Sequence, residues 1–445
     1  MKKEKFQIPP EGIFDARKLG VPKMLLLGLQ HTFAMFGATV LVPIITGLDV
    51  STTLLMAGLG TLLFHVITKG KVPAFLGSSF AFLGGYAMVA PKLADATGQF
   101  TVPNKELLPY ACGGVVIAGL VYVAMAGLIK VCGVKKIMRF FPPVVTGPII
   151  ISIGLILAPT AINNAKTDWL LAVVALSVII ICNIWGKGMV KIIPILLGIA
   201  ASYGLALVMG KVDFTAINTA PIVAMAPITM AKFSISAIIT IVPISLATMM
   251  EHIGDIAAIG ATTGKNYINE PGLHRTILGD GLATSFAGMF GGPANTTYGE
   301  NTGVLALTKI YDPKVMEIAA VFAILLSFIP KFGAAINTIP VAIIGGVSFV
   351  LYGMISAIGV RNVVENQVDF TDSRNLIIAA VILVSALGFS GVGGITIAFS
   401  PEFTINMSGL AIAAILGIVL NAVLPGNTYE FGKDLEGDTA VTFKV

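Results

Sequence analysis

Apolar runs of membrane-crossing length alternate with short polar breaks along nearly the whole chain. They fall near 22–47, 51–68, 72–91, 108–131, 141–162, 168–186, 189–210, 235–260, 276–292, 294–310, 315–331, 334–358, 375–391 and 406–425. A helix of about 20 apolar residues spans a hydrocarbon core of about 30 Å. Several of these runs are short or interrupted, and the ninth and tenth are separated only by Gly292–Pro293. The pattern predicts an all-α polytopic membrane protein with fourteen segments, an even number, so both ends of the chain are expected on one side.

Composition sharpens this picture. Of 445 residues, 56% are hydrophobic and only 11% charged, against about 25% charged in soluble domains. The 49 glycines and 23 prolines suit membrane helices, where both are commoner. A net charge of +5 is too small and too dispersed to expect a nucleic-acid partner. The position of the charges says more. With the N-terminus inside, 22 of the 28 lysines and arginines fall on the inner side. The outer side receives Lys92, Lys105, Lys166, Lys211, Lys232 and Lys331. That bias predicts cytoplasmic termini. Cys112, Cys132 and Cys182 lie in or at the ends of apolar runs without metal-ligand spacing and read as packing residues. The first twenty residues are polar and lack the apolar stretch of a signal peptide.

Fourteen segments divide into seven plus seven, and an odd number per half inverts one half against the other. Segments 3 and 10 are then partners. Segment 3 carries Gly77-Ser78-Ser79-Phe80; segment 10 carries Asn295-Thr296-Thr297-Tyr298-Gly299. A shift of 218 residues superposes hydroxyl, hydroxyl, aromatic on hydroxyl, hydroxyl, aromatic. Interrupted segments at corresponding places in two halves point to a transport site. In segment 10, extended backbone from Ala294 to Tyr298 is expected to lead into a half-helix near Gly299, with Glu300 beside its unpaired N–H groups.

Segment 8 reads IPISLATMMEHIGDIAAIGATTG. Glu251 and Asp255, four apart, share a helix face, while His252 lies about 100° round it. Carboxylates at such depth mark functional sites, and Glu251, Asp255 and Glu300 are the candidates for carrying a proton. Two carboxylate acceptors and two sets of half-helix N–H donors suit a ligand with N–H donors beside C=O acceptors, as in a uracil ring. Phe80, Tyr298 and Tyr352 are placed to stack on such a ring or to pack. An inorganic anion would call for arginine or lysine, and none lies beside these candidate residues. His31, inside segment 1, is expected to make an interhelical hydrogen bond; His65 and Glu317 sit near segment ends. Gly260–Asn266 (GATTGKN) lacks phosphate-loop spacing and a hydroxyl residue after Lys265. Energy is therefore expected from an ion gradient, and no cofactor, metal or catalytic residue is expected.

The stretch Glu300-Asn301-Thr302-Gly303 through Thr308-Lys309 resembles the signature of the nucleobase–ascorbate transporter family: acid or glutamine, Asn, any, Gly, four residues, Thr, basic. Gln30–Thr39, Gly77–Phe82, Glu251–Gly254, Pro271–Arg275 and Thr296–Asn301 are similar to its bacterial uracil-carrying branch. The resemblance implies a 7+7 inverted repeat with short extended strands breaking segments 3 and 10. Residues 1–131 and 233–332 would form a core domain, 132–232 and 333–425 a gate domain, and 426–445 a cytoplasmic tail. It further implies proton symport of uracil across the bacterial inner membrane by alternating access, commonly in a homodimer. By motif, Glu251 and Glu300 would accept from the uracil N–H groups and the Phe80 and Gly299 amides would donate to its carbonyls. Ala38, Tyr298 and Tyr352 would line the pocket, with His31, Ser79, Asn301, Gly303 and Thr308 as supporting positions. Many members carry His where this chain has Asp255. A xanthine or other purine carrier is the nearest alternative, then an anion carrier of the same architecture and a membrane enzyme using paired carboxylates.

Overall fold

The computed structural model describes residues 9, 11–94, 100–400, 403–427 and 429; most of the tail assigned to 426–445 lies outside them. The first half of the chain gives segments 1 (Val21–Thr46), 2 (Val50–Ile67), 4 (Leu108–Cys132), 5 (Pro143–Ala165), 6 (Trp169–Trp185) and 7 (Pro194–Val208). The second half gives segments 8 (Ile235–Ile241 continuing as Ile244–Thr263), 9 (Leu273–Met289), 11 (Pro313–Ser327), 12 (Val341–Glu365), 13 (Ser373–Gly391) and 14 (Gly409–Val423). Segments 3 and 10 are the broken ones. Strand β1 (Leu76–Ser78) leads to the half-helix Leu83–Val89, and strand β2 (Asn295–Thr297) to the half-helix Gly299–Thr308. Seven helices among the described residues are long and apolar enough to cross a membrane unaided; the rest are shorter, bent or broken.

Aspartates start several segments by accepting orphan N–H bonds: Asp49 from Thr52 N at 2.7 Å, Asp312 from Lys314 N at 3.0 Å, Asp372 from Arg374 N at 3.1 Å. Proline sets other boundaries. Segment 12 begins after Pro340, seven residues later than its apolar run suggests. The residues in between form Pro330–Asn337, bent 84° from segment 11, because Pro330 and Pro340 each fix a break.

The packing is two-fold in sequence. Segments 4 and 9 pack together as 2 and 11 do; 6 with 7 as 13 with 14; 6 with 12 as 13 with 5; 1 with 11 as 8 with 4. Adding seven to each number turns one contact into its mate, and segments 3 and 10 map onto each other. With solved relatives of the same architecture, this is a 7+7 inverted repeat. Glycines let the helices approach closely where lipid supplies no hydrophobic drive. A Cβ on Gly281 would lie 2.7 Å from the Gly119 carbonyl oxygen, and one on Gly359 2.8 Å from that of Gly147. Outside the membrane, Lys71 from the loop after segment 2 pairs with Glu270 from the loop after segment 8. That hydrogen bond first, and the lysine charge second, hold the Glu270 carboxyl below its ordinary value.

Candidate functional site

The two broken segments meet. Strands β1 and β2 pair antiparallel, with Leu76 opposite Thr297, Gly77 opposite Thr296 and Ser78 opposite Asn295. The ladder ends with Ser79 N donating to Ala294 O at 2.8 Å and Tyr298 N to Phe75 O at 3.0 Å. Three-residue strands are marginal alone, and buried backbone must find partners inside the protein. Symmetry-related threonines supply them. Thr61 on segment 2 bonds both N–H (2.9 Å) and C=O (3.1 Å) of Leu76, and Thr284 on segment 9 bonds Asn295 O at 2.9 Å. Asn295 Nδ2 also reaches Met56 O at 3.2 Å.

Just past the last strand bonds lie the amides of Phe80 and Gly299, each at the approach to a half-helix. Glu300 stands in the first turn of the second half-helix. Segment 8 packs against that half-helix and brings Asp255 Oδ1 within 3.9 Å of where a Cβ on Gly299 would sit. Asp255 Oδ2 accepts from Thr297 Oγ1 at 2.8 Å. One turn earlier, Glu251 is half-buried and its Oε2 has no protein partner. The three candidate acids therefore gather at one helix start, whose partial positive charge favours anions.

Tyr298 turns back on the fold. Its ring covers Gly77 and its hydroxyl donates to Ser78 O at 2.8 Å, with Thr39 Oγ1 at 3.4 Å. Phe80 meets Tyr352 of segment 12 edge to face, ring centroids 5.9 Å apart. Ala38 is fully buried on segment 1, and the hydroxyls of Ser79, Thr296 and Tyr352 are buried without a protein partner. His31 makes the expected interhelical bond: Asn301 Nδ2 lies 3.1 Å from His31 Nδ1 and donates to His31 O at 3.1 Å. Asn301→Ala should therefore leave the buried His31 Nδ1 without a partner and cost about 1–3 kcal/mol, read as a lower melting midpoint of the purified protein. A Cβ at Gly303 would meet nothing within 4 Å, so packing does not require a glycine there.

One acid escaped the sequence reading. Asp280, fully buried on segment 9, lies 3.4 Å (Oδ2) from His252 Nδ1, which also approaches Thr297 Oγ1 at 3.4 Å. Asp255, Thr297, His252 and Asp280 thus stand in a row of polar contacts, in which neither Asp280 oxygen has a hydrogen bond. The signal was present: an acid between Gly279 and Gly281 inside an apolar run. Among the described residues no three His, Cys, Asp or Glu side chains are grouped to hold a metal ion.

Two paired buried strands, each leading into a half-helix, thus sit inside a 7+7 inverted-repeat bundle. The transmembrane domain of the cyanobacterial bicarbonate transporter BicA superposes with a TM-score of 0.62 at 14% identity, covering 92% of this chain and 99% of that one. SLC26A9 superposes at 0.65 and 11%, covering 91% and 65%. At such identities the likeness is one of fold. Residues 22–395 match the family model Xan_ur_permease, described as a permease family. The probable uracil permease of Haemophilus influenzae is 41% identical over 430 residues, covering 94% of this chain and 98% of the relative. The uracil permease of Bacillus caldolyticus is 42% identical over 422 residues, covering 91% and 93%. This chain is a multi-pass membrane permease and belongs to the nucleobase–ascorbate transporter family.

Proposed function

We propose that this protein is a proton-coupled symporter that imports uracil across the bacterial cytoplasmic membrane. The observation that carries the reading is the gathering of Glu251, Asp255 and Glu300 at the half-helix start beside the crossed strands. Its relatives named as uracil permeases match over nine-tenths of the chain.

Uracil offers two N–H donors and two carbonyl acceptors. Glu251 and Glu300 accept from the former, and the Phe80 and Gly299 amides donate to the latter. Tyr352 and Ala38 close on the ring, and Tyr298 holds the strand floor. Segments 1–4 and 8–11 act as the core that carries the site; segments 5–7 and 12–14 act as the gate. Phe80 against Tyr352 is where they touch over the ligand. Below the acids, Gly254, Ala257 and Ala261 of segment 8 and Gly303 and Ala306 of segment 10 present small side chains to open space. These residues lie toward the end where both segments finish, which the lysine and arginine bias makes the cytoplasm. On the half-helix of segment 3 a Cβ on Gly85 would lie 2.8 Å from Ile244, while one on Gly84 would meet nothing within 4 Å. Coupling follows when a site carboxyl takes a proton outside and yields it inside, with the row through Thr297, His252 and Asp280 fixing Asp255. The protein works as a homodimer.

Equilibrium binding of labelled uracil to the purified protein tests the substrate. Excess unlabelled uracil should displace the label, while xanthine and bicarbonate should not. Displacement by xanthine would make it a purine carrier, and displacement by bicarbonate an anion carrier.

A further inference from the structure

The last residues of the family signature, Thr308 and Lys309, lie more than two helical turns from Glu300, too far to touch a ligand there. They build the far end of the half-helix. Thr308 Oγ1 donates to Val304 O at 2.9 Å and accepts from Ile310 N at 3.4 Å. Lys309 ends the helix in the left-handed region at φ 53°. Its carbonyl then accepts from Ile13 N at 2.8 Å, while Tyr311 N donates to Ile13 O at 2.7 Å, so Ile13 and Ile310 form a parallel bridge. Three residues on, Ala16 N donates to Asp312 Oδ2 at 2.7 Å, the carboxylate that also caps segment 11. Ile13, Ala16, Ile310 and Val315 make a separate buried cluster around this junction.

Two further contacts widen the tie. The Phe14 ring packs on Tyr311 with centroids 5.3 Å apart, and Lys265 Nζ, from the loop that leaves segment 8, sits 3.8 Å from the Phe14 centroid. Gly12 makes the approach possible: its φ is +81°, and a Cβ would strike the Tyr311 ring and lie 2.8 Å from Lys309 O. The half-helix held this way has only ten residues, and its Gly303–Ala306–Leu307 face is exposed. Segments 1 and 8 hold one side of it and the other side is open, so its two ends also fix its position. One end is strand β2; the other is this N-terminal segment.

We propose that residues 12–16 form a clasp that positions Glu300 by fixing the far end of its half-helix. Through Phe14 and Lys265 the clasp also ties that end to segment 8, which carries Glu251 and Asp255. These are positioning residues; none touches the ligand. The proposal rests on Glu300 as a uracil ligand, and its test separates the two claims.

The full-length protein is purified with Gly12→Val, Ile13→Pro or Ile13→Val, and labelled uracil binding and amide hydrogen exchange over 303–309 are measured. Gly12→Val and Ile13→Pro should weaken uracil binding about fivefold, the worth of one buried hydrogen bond, and speed exchange over 303–309. Ile13→Val, which keeps both backbone bonds, should match the parent in both. If Ile13→Pro does not fold, Phe14→Ala and Lys265→Ala, which spare the backbone pairing, should shift binding in the same direction. Faster exchange with unchanged uracil affinity would overturn the positioning role, and unchanged exchange would overturn the clasp. Failure of the parent itself to bind uracil would instead overturn the substrate reading, leaving the exchange data to judge the clasp.

Discussion

Replacing Glu251 by glutamine should abolish uracil uptake while leaving the protein folded and inserted. Glutamine keeps the shape but turns one acceptor into an N–H donor facing a ligand N–H, and it cannot carry a proton. A hydrogen bond to a charged group contributes about 1.5–3 kcal/mol, so uracil binding should weaken roughly 10- to 150-fold. Coupled transport should vanish, since the loss of affinity adds to the loss of the titratable group. Folding should be spared because Glu251 Oε2 has no protein partner to strand. The checks are uptake by proteoliposomes and elution of the purified variant as a single species. Glu300→Gln should behave alike, with a small added stability cost because the acid sits in the first turn of its half-helix. Near-normal uptake by either variant would remove that residue from the mechanism.

The second large effect is expected at a residue without a side chain. Gly77 lies at the centre of β1, opposite Thr296, with the Tyr298 ring against it. A Cβ there would strike that ring and come within 2.8 Å of Thr39 Oγ1. Gly77→Val therefore forces Tyr298 off its bonds to Ser78 and Thr39, or forces the strands apart. Overpacking alone costs about 1–3 kcal/mol, and each lost buried hydrogen bond adds about 1 kcal/mol. Because the half-helix starts hang from these strands, uracil binding should fall below detection and the melting midpoint should drop. A variant that binds as the parent does would show that the crossing is not what aims the Phe80 and Gly299 amides.

Much of this architecture was legible in the chain, for physical reasons. A segment surrounded by lipid must be apolar along its length, so apolar runs mark segments. The Gly-Ser-Ser-Phe and Asn-Thr-Thr-Tyr-Gly stretches mark breaks because hydroxyls and glycine are what a buried strand crossing needs. Observed strand β2 and the half-helix from Gly299 fall where those residues place them. Segment 12 was misplaced because Ala334, Ala335 and Ile336 extend its apolar run back past Pro340, and hydropathy does not record an 84° bend. Tyr298 looked like a stacking ring; that its hydroxyl bonds backward depends on Gly77, 221 positions earlier. Asp280 showed as an acid inside an apolar run, but its approach to His252, like the Ile13 bridge, joins distant parts of the chain that no period or spacing betrays.

Accumulation of labelled uracil by proteoliposomes, with and without an inward proton gradient and with excess xanthine present, tests the central claim most directly. The account predicts uphill accumulation that requires the gradient, collapses when a protonophore dissipates it, and is unaffected by xanthine. Uptake that merely equilibrates, whatever the gradient, would contradict proton symport.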